Sequence, residues 1–174
     1  SLVELDGSRT MVSDRGVAPA LAPDDLEPEW FEGAHWLHLS GYSLMGEPIG
    51  SAAERAVELA REAGARISVD LSSVNLIREF GREHLAGRFE RIRPDVVFGN
   101  EAEHEELPVA TELRITKRGP RGASIDGRDL LPLDGEVLDT TGAGDALAAG
   151  YLVGGAELAM EAAARCVAQL GTMP

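Results

Sequence analysis

The stretch Val137-Leu138-Asp139-Thr140-Thr141-Gly142-Ala143-Gly144-Asp145-Ala146-Leu147-Ala148-Ala149-Gly150 decides how the rest of the chain is read. Gly142 and Gly144 flank an alanine, so the backbone can bend tightly there and present bare N–H groups, and the Ala/Leu run that follows favours helix. The reading is a loop entering a helix N-terminus, where free amides and the helix dipole together suit an anion. Asp145 complicates that picture. A negative side chain adds nothing to a plain phosphate cradle, but a group that transfers phosphoryl to an alcohol needs a base beside the hydroxyl. The plain alternative is that Asp145 favours the first turn of a surface helix, as aspartates often do.

Working outward, Asp95 to Phe98 reads as a buried strand closed by Gly99, followed at once by Asn100-Glu101-Ala102-Glu103. Asn100 and Glu103 stand three apart on an incipient helix and share a face, although Asn followed by acids is also a routine helix start. Glu101, Glu105 and Glu106 read as a solvated face and His104 as a surface residue. Leu113 to Ala123, through Thr116-Lys117-Arg118-Gly119-Pro120-Arg121-Gly122, reads as a strand running into a glycine turn.

Upstream, His35 to Leu39 is apolar enough for a strand, and His35 and His38 fall on opposite faces of it, which argues against a shared metal. Ser51 with Glu54 suggests a capping box for a helix that Gly64 ends, and Arg66 to Asp70 follows as a second strand. Residues 35–70 are therefore expected to form a βαβ unit with parallel strands. Asp70-Leu71-Ser72-Ser73 then lies at a strand C-terminus, where open α/β sheets place ligands, although Ser72 or Ser73 could equally cap the next helix. Leu76 to Arg91 reads as one further helix. Val3 and Leu5, the Asp6-Gly7 turn and Thr10 to Val12 suggest a hairpin. Trp30-Phe31 suggests an anchor for the proline-rich, acidic loop of residues 19–29. Ala123 to Ile125 and Asp129 to Leu133 suggest a second hairpin, and Gly154-Gly155 divides the last helical stretch, which resumes from Glu157 to Leu170.

The 174 residues suit one domain, and sixteen basic against thirty acidic side chains give a formal charge of −14. Such a charge disfavours nucleic acid and anionic membranes as partners. Cys166 stands alone, so a disulfide framework is excluded, a reducing cytoplasmic setting is expected, and a packed small residue is the simplest role for it. No G-x-x-x-x-G-K-[ST] string is present, which argues against a P-loop NTPase.

Taken together, Asp139-Thr140-Thr141-Gly142-Ala143-Gly144-Asp145 with its small-residue helix, Asn100-x-x-Glu103 after a strand, and the Lys117/Gly119 turn between them resemble the PfkB or ribokinase-like family of sugar and nucleoside kinases. The resemblance implies a three-layer α/β/α fold with a mainly parallel sheet. It implies ATP and Mg²⁺ as reaction partners and a sugar or nucleoside hydroxyl as phosphoryl acceptor. Asp145 would be the general base, and the Gly142, Ala143 and Gly144 amides the anion hole. Asn100 and Glu103 would organise Mg²⁺ and its water, while Lys117 and Gly119 approach the nucleotide. Asp139 and Thr140 would shape the loop, near a monovalent cation such as K⁺. Residues 1–18 would be a remnant of the lid sheet through which a homodimer can form, with Arg9 and Arg15 facing substrate.

Members of that family are longer. The part that begins the sheet and supplies most acceptor contacts is expected to be missing, and shortening is expected near residues 107–113, 131–137 and 152–157. The chain is then either a shortened relative or part of a longer protein. The alternative function is a non-catalytic nucleotide-binding or regulatory module.

Overall fold

The computed structural model describes residues 2–3, 9–10, 12, 14–125 and 127–171. Two short antiparallel strands, β1 (Leu2–Val3) and β2 (Arg9–Thr10), form a ladder of their own. The Asp6-Gly7 turn expected between them lies outside the described residues. Three 3₁₀ turns follow, at Ala18–Ala20, Pro23–Asp25 and Pro28–Phe31, each with proline in its first two positions, where the missing N–H does no harm. Phe31 is buried as the anchor of this segment, but Trp30 is 63% exposed and anchors nothing.

Strand β3 (Trp36–Ser40) then begins the main sheet. Helix α1 (Ile49–Glu62) returns the chain to β4 (Arg66–Asp70), which lies parallel to β3 as expected. The Ser51/Glu54 capping box does not form. The helix starts three residues earlier, with Pro48 at the N-cap, and the amide and hydroxyl of Ser51 both donate to Glu47 Oε2, at 3.1 and 2.7 Å. Glu54 instead accepts from Arg88 and Arg91.

The single helix read over Leu76 to Arg91 is two, α2 (Val74–Phe80) and α3 (Arg82–Ile92). Gly81 separates them at φ 89°, a conformation that glycine adopts without strain and that no α-helix contains. Strand β5 (Val96–Asn100), the short helix α4 (Glu101–Glu106) and β6 (Leu113–Lys117) continue the parallel run. β7 (Ala123–Ile125) and β8 (Arg128–Leu130) finish the sheet antiparallel. The expected second strand of that hairpin stops at Leu130 because residues 131–138 leave the sheet exposed. Helix α5 (Ala143–Val167) closes the chain, kinked at Gly154 and Gly155 where the notional helix break was expected.

Sheet order is β3-β4-β5-β6-β7-β8. Alternation along each strand sorts the side chains into two layers of core. Leu39, Ile67, Val69 and Val97 pack beneath α1, α2 and α3. Val96, Phe98 and Ile115 point the other way and meet Leu147, Ala148, Ala159 and Met160 of α5. Phe98 and Ile115 are fully buried, and each such side chain stabilises the fold by roughly 1.5–3 kcal/mol. The result is a ribokinase-like three-layer α/β/α fold. Its parallel strands all end on the same side, which is where the first turn of α5 arrives.

Candidate active site

Strand register fixes the floor of the site. Ser40 pairs with Asp70 across β3 and β4, and Asn100 pairs with Lys117 across β5 and β6, so four polar side chains share one edge of the sheet. Above them sits the turn before α5. Asp139 builds it: one carboxylate oxygen accepts from the Thr141 amide at 2.9 Å and the other from the Gly171 amide at 3.1 Å. Gly142 turns the chain at φ 80°, and the Ala143 amide makes a long 3.3 Å bond to Thr140 O. The next amides are those that a helix start leaves without an intrahelical acceptor. Asp145 lies in this first turn, exposed, on the rim of a cavity.

Two cavities meet at this point. The first, of about 640 Å³, is lined by His38, Ser40, Tyr42, Asp70, Ser72 and Asp145, among others. The second, of about 470 Å³, is largely apolar and lies between the Gly119–Gly122 turn and α5, with Thr140, Ala143, Gly144, Leu133 and Val137 in its wall. Lys117 lines both. Its ammonium is 2.6 Å from Asp70 Oδ2, and its side chain runs so close to the glycine turn that a Cβ placed on Gly144 would stand 3.3 Å from Nζ. A side chain at 144 would therefore crowd the lysine, whose flexible end would have to shift by a few tenths of an ångström.

Asn100 and Glu103 line neither cavity. They form a reciprocal capping box for α4: the Glu103 amide donates to Asn100 Oδ1 at 2.9 Å, and the Asn100 amide donates to Glu103 Oε2 at 2.8 Å. Glu103 is 5% exposed. Burial raises its pKa above the ordinary value, while the Asn100 amide and the Lys117 charge pull it down. His104, expected at the surface, is buried and bonded through Nε2 to Ile115 O at 3.0 Å. Glu103 and His104 are the two buried residues of this short helix, because one of its faces packs on the sheet. Glu101 and Glu106 also differ from a merely solvated face: Glu101 pairs with Arg118 and Arg121, and Glu106 with Arg78 and Arg82.

The reading from sequence missed the β3 contribution. His38 donates to or accepts from Ser68 Oγ at 2.9 Å through Nδ1 and meets Phe98 edge-on. Partial desolvation lowers its pKa, with the charges of Asp70 and Asp145 acting against that shift, although the residue stays open to the cavity it shares with both carboxylates. The available signal was position alone, since Ser40 and Asp70 both end strands of the expected parallel pair. Arg15 donates to Tyr42 O at 3.0 Å, at the margin of the first cavity. Arg9 lies in β2, and its side chain is outside the described residues. Among the described residues, no three His, Cys, Asp or Glu side chains are grouped as metal ligands, and no helix is long and apolar enough to cross a membrane. Cys166 is buried, as expected of a packed residue, with its thiol 3.4 Å from Thr141 O.

No family model matches the chain. An ATP-dependent ribose-1-phosphate kinase of Halopiger xanaduensis is 31% identical over 184 residues, covering 95% of this chain and 58% of that protein. The solved adenosine kinase of Sinorhizobium meliloti shares the fold with a TM-score of 0.75 at 22% identity, covering 88% of this chain and 55% of that one. An uncharacterized sugar kinase of Pyrococcus horikoshii, solved in complex with ATP, gives 0.74 at 23% identity over 87% of this chain and 58% of its own. The chain thus spans somewhat more than half the length of the relatives it matches. On these relatives and this shared fold, the chain belongs to the PfkB/ribokinase-like family of carbohydrate kinases.

Proposed function

We propose that this chain carries the catalytic half of an ATP-dependent kinase that transfers the γ-phosphoryl group to a hydroxyl of a sugar or nucleoside. The observation that carries the reading is the meeting of two cavities at one turn, with a carboxylate on one side, a glycine-lined apolar slot on the other and a single ammonium between them. Names of relatives point the same way: a sugar phosphate kinase by sequence, an adenosine kinase and an ATP-bound sugar kinase by fold.

In this reading the nucleotide occupies the second cavity, its base against the apolar wall of Leu133, Val137 and α5, its phosphates toward Gly119, Lys117 and the start of α5. The acceptor occupies the first cavity. Asp145 takes the proton from the attacking hydroxyl, and amides at Gly142 to Gly144 steady the charge on the transferring group. Lys117 supplies a mobile positive charge beside both. His38, in the wall of the first cavity, offers a ring nitrogen to the acceptor side.

A divalent cation fits the donor set indirectly. Asn100 Oδ1 accepts from the first turn of α4 and Glu103 Oε2 from the Asn100 amide at the end of β5, and neither residue lines a cavity, so the pair would act on a Mg²⁺ through the water it keeps. Such an ion neutralises phosphate charge when bound. Asp139 already accepts from two amides through its two oxygens, which favours its structural role over a monovalent-cation site. Nothing in the geometry favours a non-catalytic module.

The test is nucleotide binding by calorimetry together with turnover over a panel of sugars and nucleosides, for the wild type and Asp145→Asn. The substitution is expected to lower turnover by roughly 10²- to 10⁴-fold while ATP affinity stays within about twofold. Equal turnover of the two proteins would remove Asp145 from the chemistry.

A further inference from the structure

Lys117 is the only lysine in 174 residues; the other fifteen basic side chains are arginines. An arginine at this point would bring a rigid fork suited to a fixed carboxylate or phosphate, whereas lysine brings a point charge on a flexible stem. One fixed partner holds its ammonium. Asp70, 5% exposed, gives Oδ2 to the ammonium at 2.6 Å and Oδ1 to the Ser72 amide at 2.9 Å. Ser72 sits at φ 67°, one of two non-glycine residues with positive φ among those described. Its hydroxyl lies 3.1 Å from each of Gly41 N, Ser40 Oγ and Asp70 O, tying the ends of β3 and β4 together. Turning the Asp70 carboxylate away from Lys117 would therefore also break the turn that joins these strands.

We propose that Asp70 is a positioning residue: locked by the Ser72 turn, its carboxylate parks the Lys117 ammonium on the wall between the two cavities, and a phosphate-bearing ligand in the second cavity draws the ammonium off it. The parking rests on geometry alone; the release rests on the kinase reading. The carboxylate then does two jobs. It holds the ammonium in the wall of the acceptor cavity, away from the nucleotide side, and it competes with phosphate for the same charge, so that the lysine changes partner when nucleotide arrives.

Because the chain has one lysine, amine labelling reads this side chain directly. The experiment treats the folded protein with an uncharged acylating ester at mildly alkaline pH and follows the Lys117 peptide by mass spectrometry, in the wild type, Asp70→Asn and Asp70→Glu, with and without ATP. Asp70→Asn keeps an oxygen for the Ser72 amide and turns an NH₂ toward the ammonium in place of the accepting oxygen, which abolishes the ion pair. It is expected to label faster by roughly threefold to tenfold, the range of a charge-assisted contact partly open to water. Asp70→Glu is expected to return toward the wild-type rate. Equal rates in wild type and Asp70→Asn, with matching thermal melts, would overturn the parking.

Ser72→Gly serves as a second variant, since glycine accepts the positive φ and removes only the hydroxyl ties. It is expected to give an intermediate rate, and a wild-type rate would count against the locked turn. ATP is expected to protect Lys117 in both proteins, at lower concentration in Asp70→Asn because no carboxylate competes. Faster labelling of Asp70→Asn without protection by ATP would leave the parking standing and remove the release, together with the nucleotide placement on which it depends.

Discussion

At the scale of single residues, burial shifts the titration of two neighbours on α4, Glu103 and His104. His104 makes this measurable away from the chemistry. It is buried, bonds Ile115 O through Nε2, and burial lowers its pKa below the ordinary 6.5. A folded-state pKa below the unfolded one means that the unfolded chain binds the proton more readily, so stability is full above about 6.5 and is lost as the pH falls through that value. Replacing it by glutamine keeps a donor for Ile115 and removes the titration. Between pH 7 and pH 5 the urea midpoint of wild type is expected to fall more steeply than that of His104→Gln. Parallel slopes would mean that His104 does not titrate in this window. Burial of Glu103 works in the opposite sense, since a raised carboxylate pKa in the folded state takes stability away as the pH rises above about 4.5. Comparing the variant with wild type cancels that effect.

At the scale of elements, the kink of α5 folds that helix back on itself. Gly154 and Gly155 leave helical geometry, and the chain folds back so that Leu158 and Ala159 press on Gly150. A Cβ on Gly150 would stand 2.5 Å from Leu158 O and 2.8 Å from Ala159 Cα, both backbone atoms that cannot swing aside. Gly150→Ala improves local helix propensity yet is expected to destabilise by about 1–3 kcal/mol through overpacking. Chemical denaturation checks this, and a midpoint equal to wild type would show that the two halves of α5 separate without loss. A similar lesson comes from α1 and α3, which are joined by the 2%-exposed Arg88 bonded to Glu54 and Glu47. Removing the Glu54 charge by Glu54→Gln is expected to cost roughly 1–3 kcal/mol, less than the 3–5 of a fully buried pair because Glu54 is partly open to water.

At the scale of the whole molecule, a formal charge of −14 surrounds a site proposed to receive a polyanion. The local donors, Lys117 and the start of α5, act over a few ångströms, whereas the net charge acts over the Debye length, about 10 Å at 0.1 M salt. Salt should therefore screen repulsion more than attraction. The association rate of ATP, measured by stopped flow, is expected to rise by about twofold to fivefold between roughly 0.05 and 0.3 M salt, opposite to an electrostatically steered site. A rate that falls with salt would show that the local cation governs approach.

The order of strands and helices, the parallel βαβ unit, the glycine turn into α5 and the Asn100/Glu103 helix start were all legible in the letters, because periodicity, turn residues and capping act between neighbours in sequence. Local rules also misread Ser51, His104 and the helix broken at Gly81, where a carboxylate four residues back, a face pressed on the sheet or a positive φ outweighed local preference. Only the tertiary structure decided that Asp70 pairs with Lys117, that His38 shares a cavity with Asp145, and that one lysine stands between two cavities. Those contacts join residues 47 and 107 positions apart, and such distances are closed by sheet register and layer packing, which no short window of sequence contains.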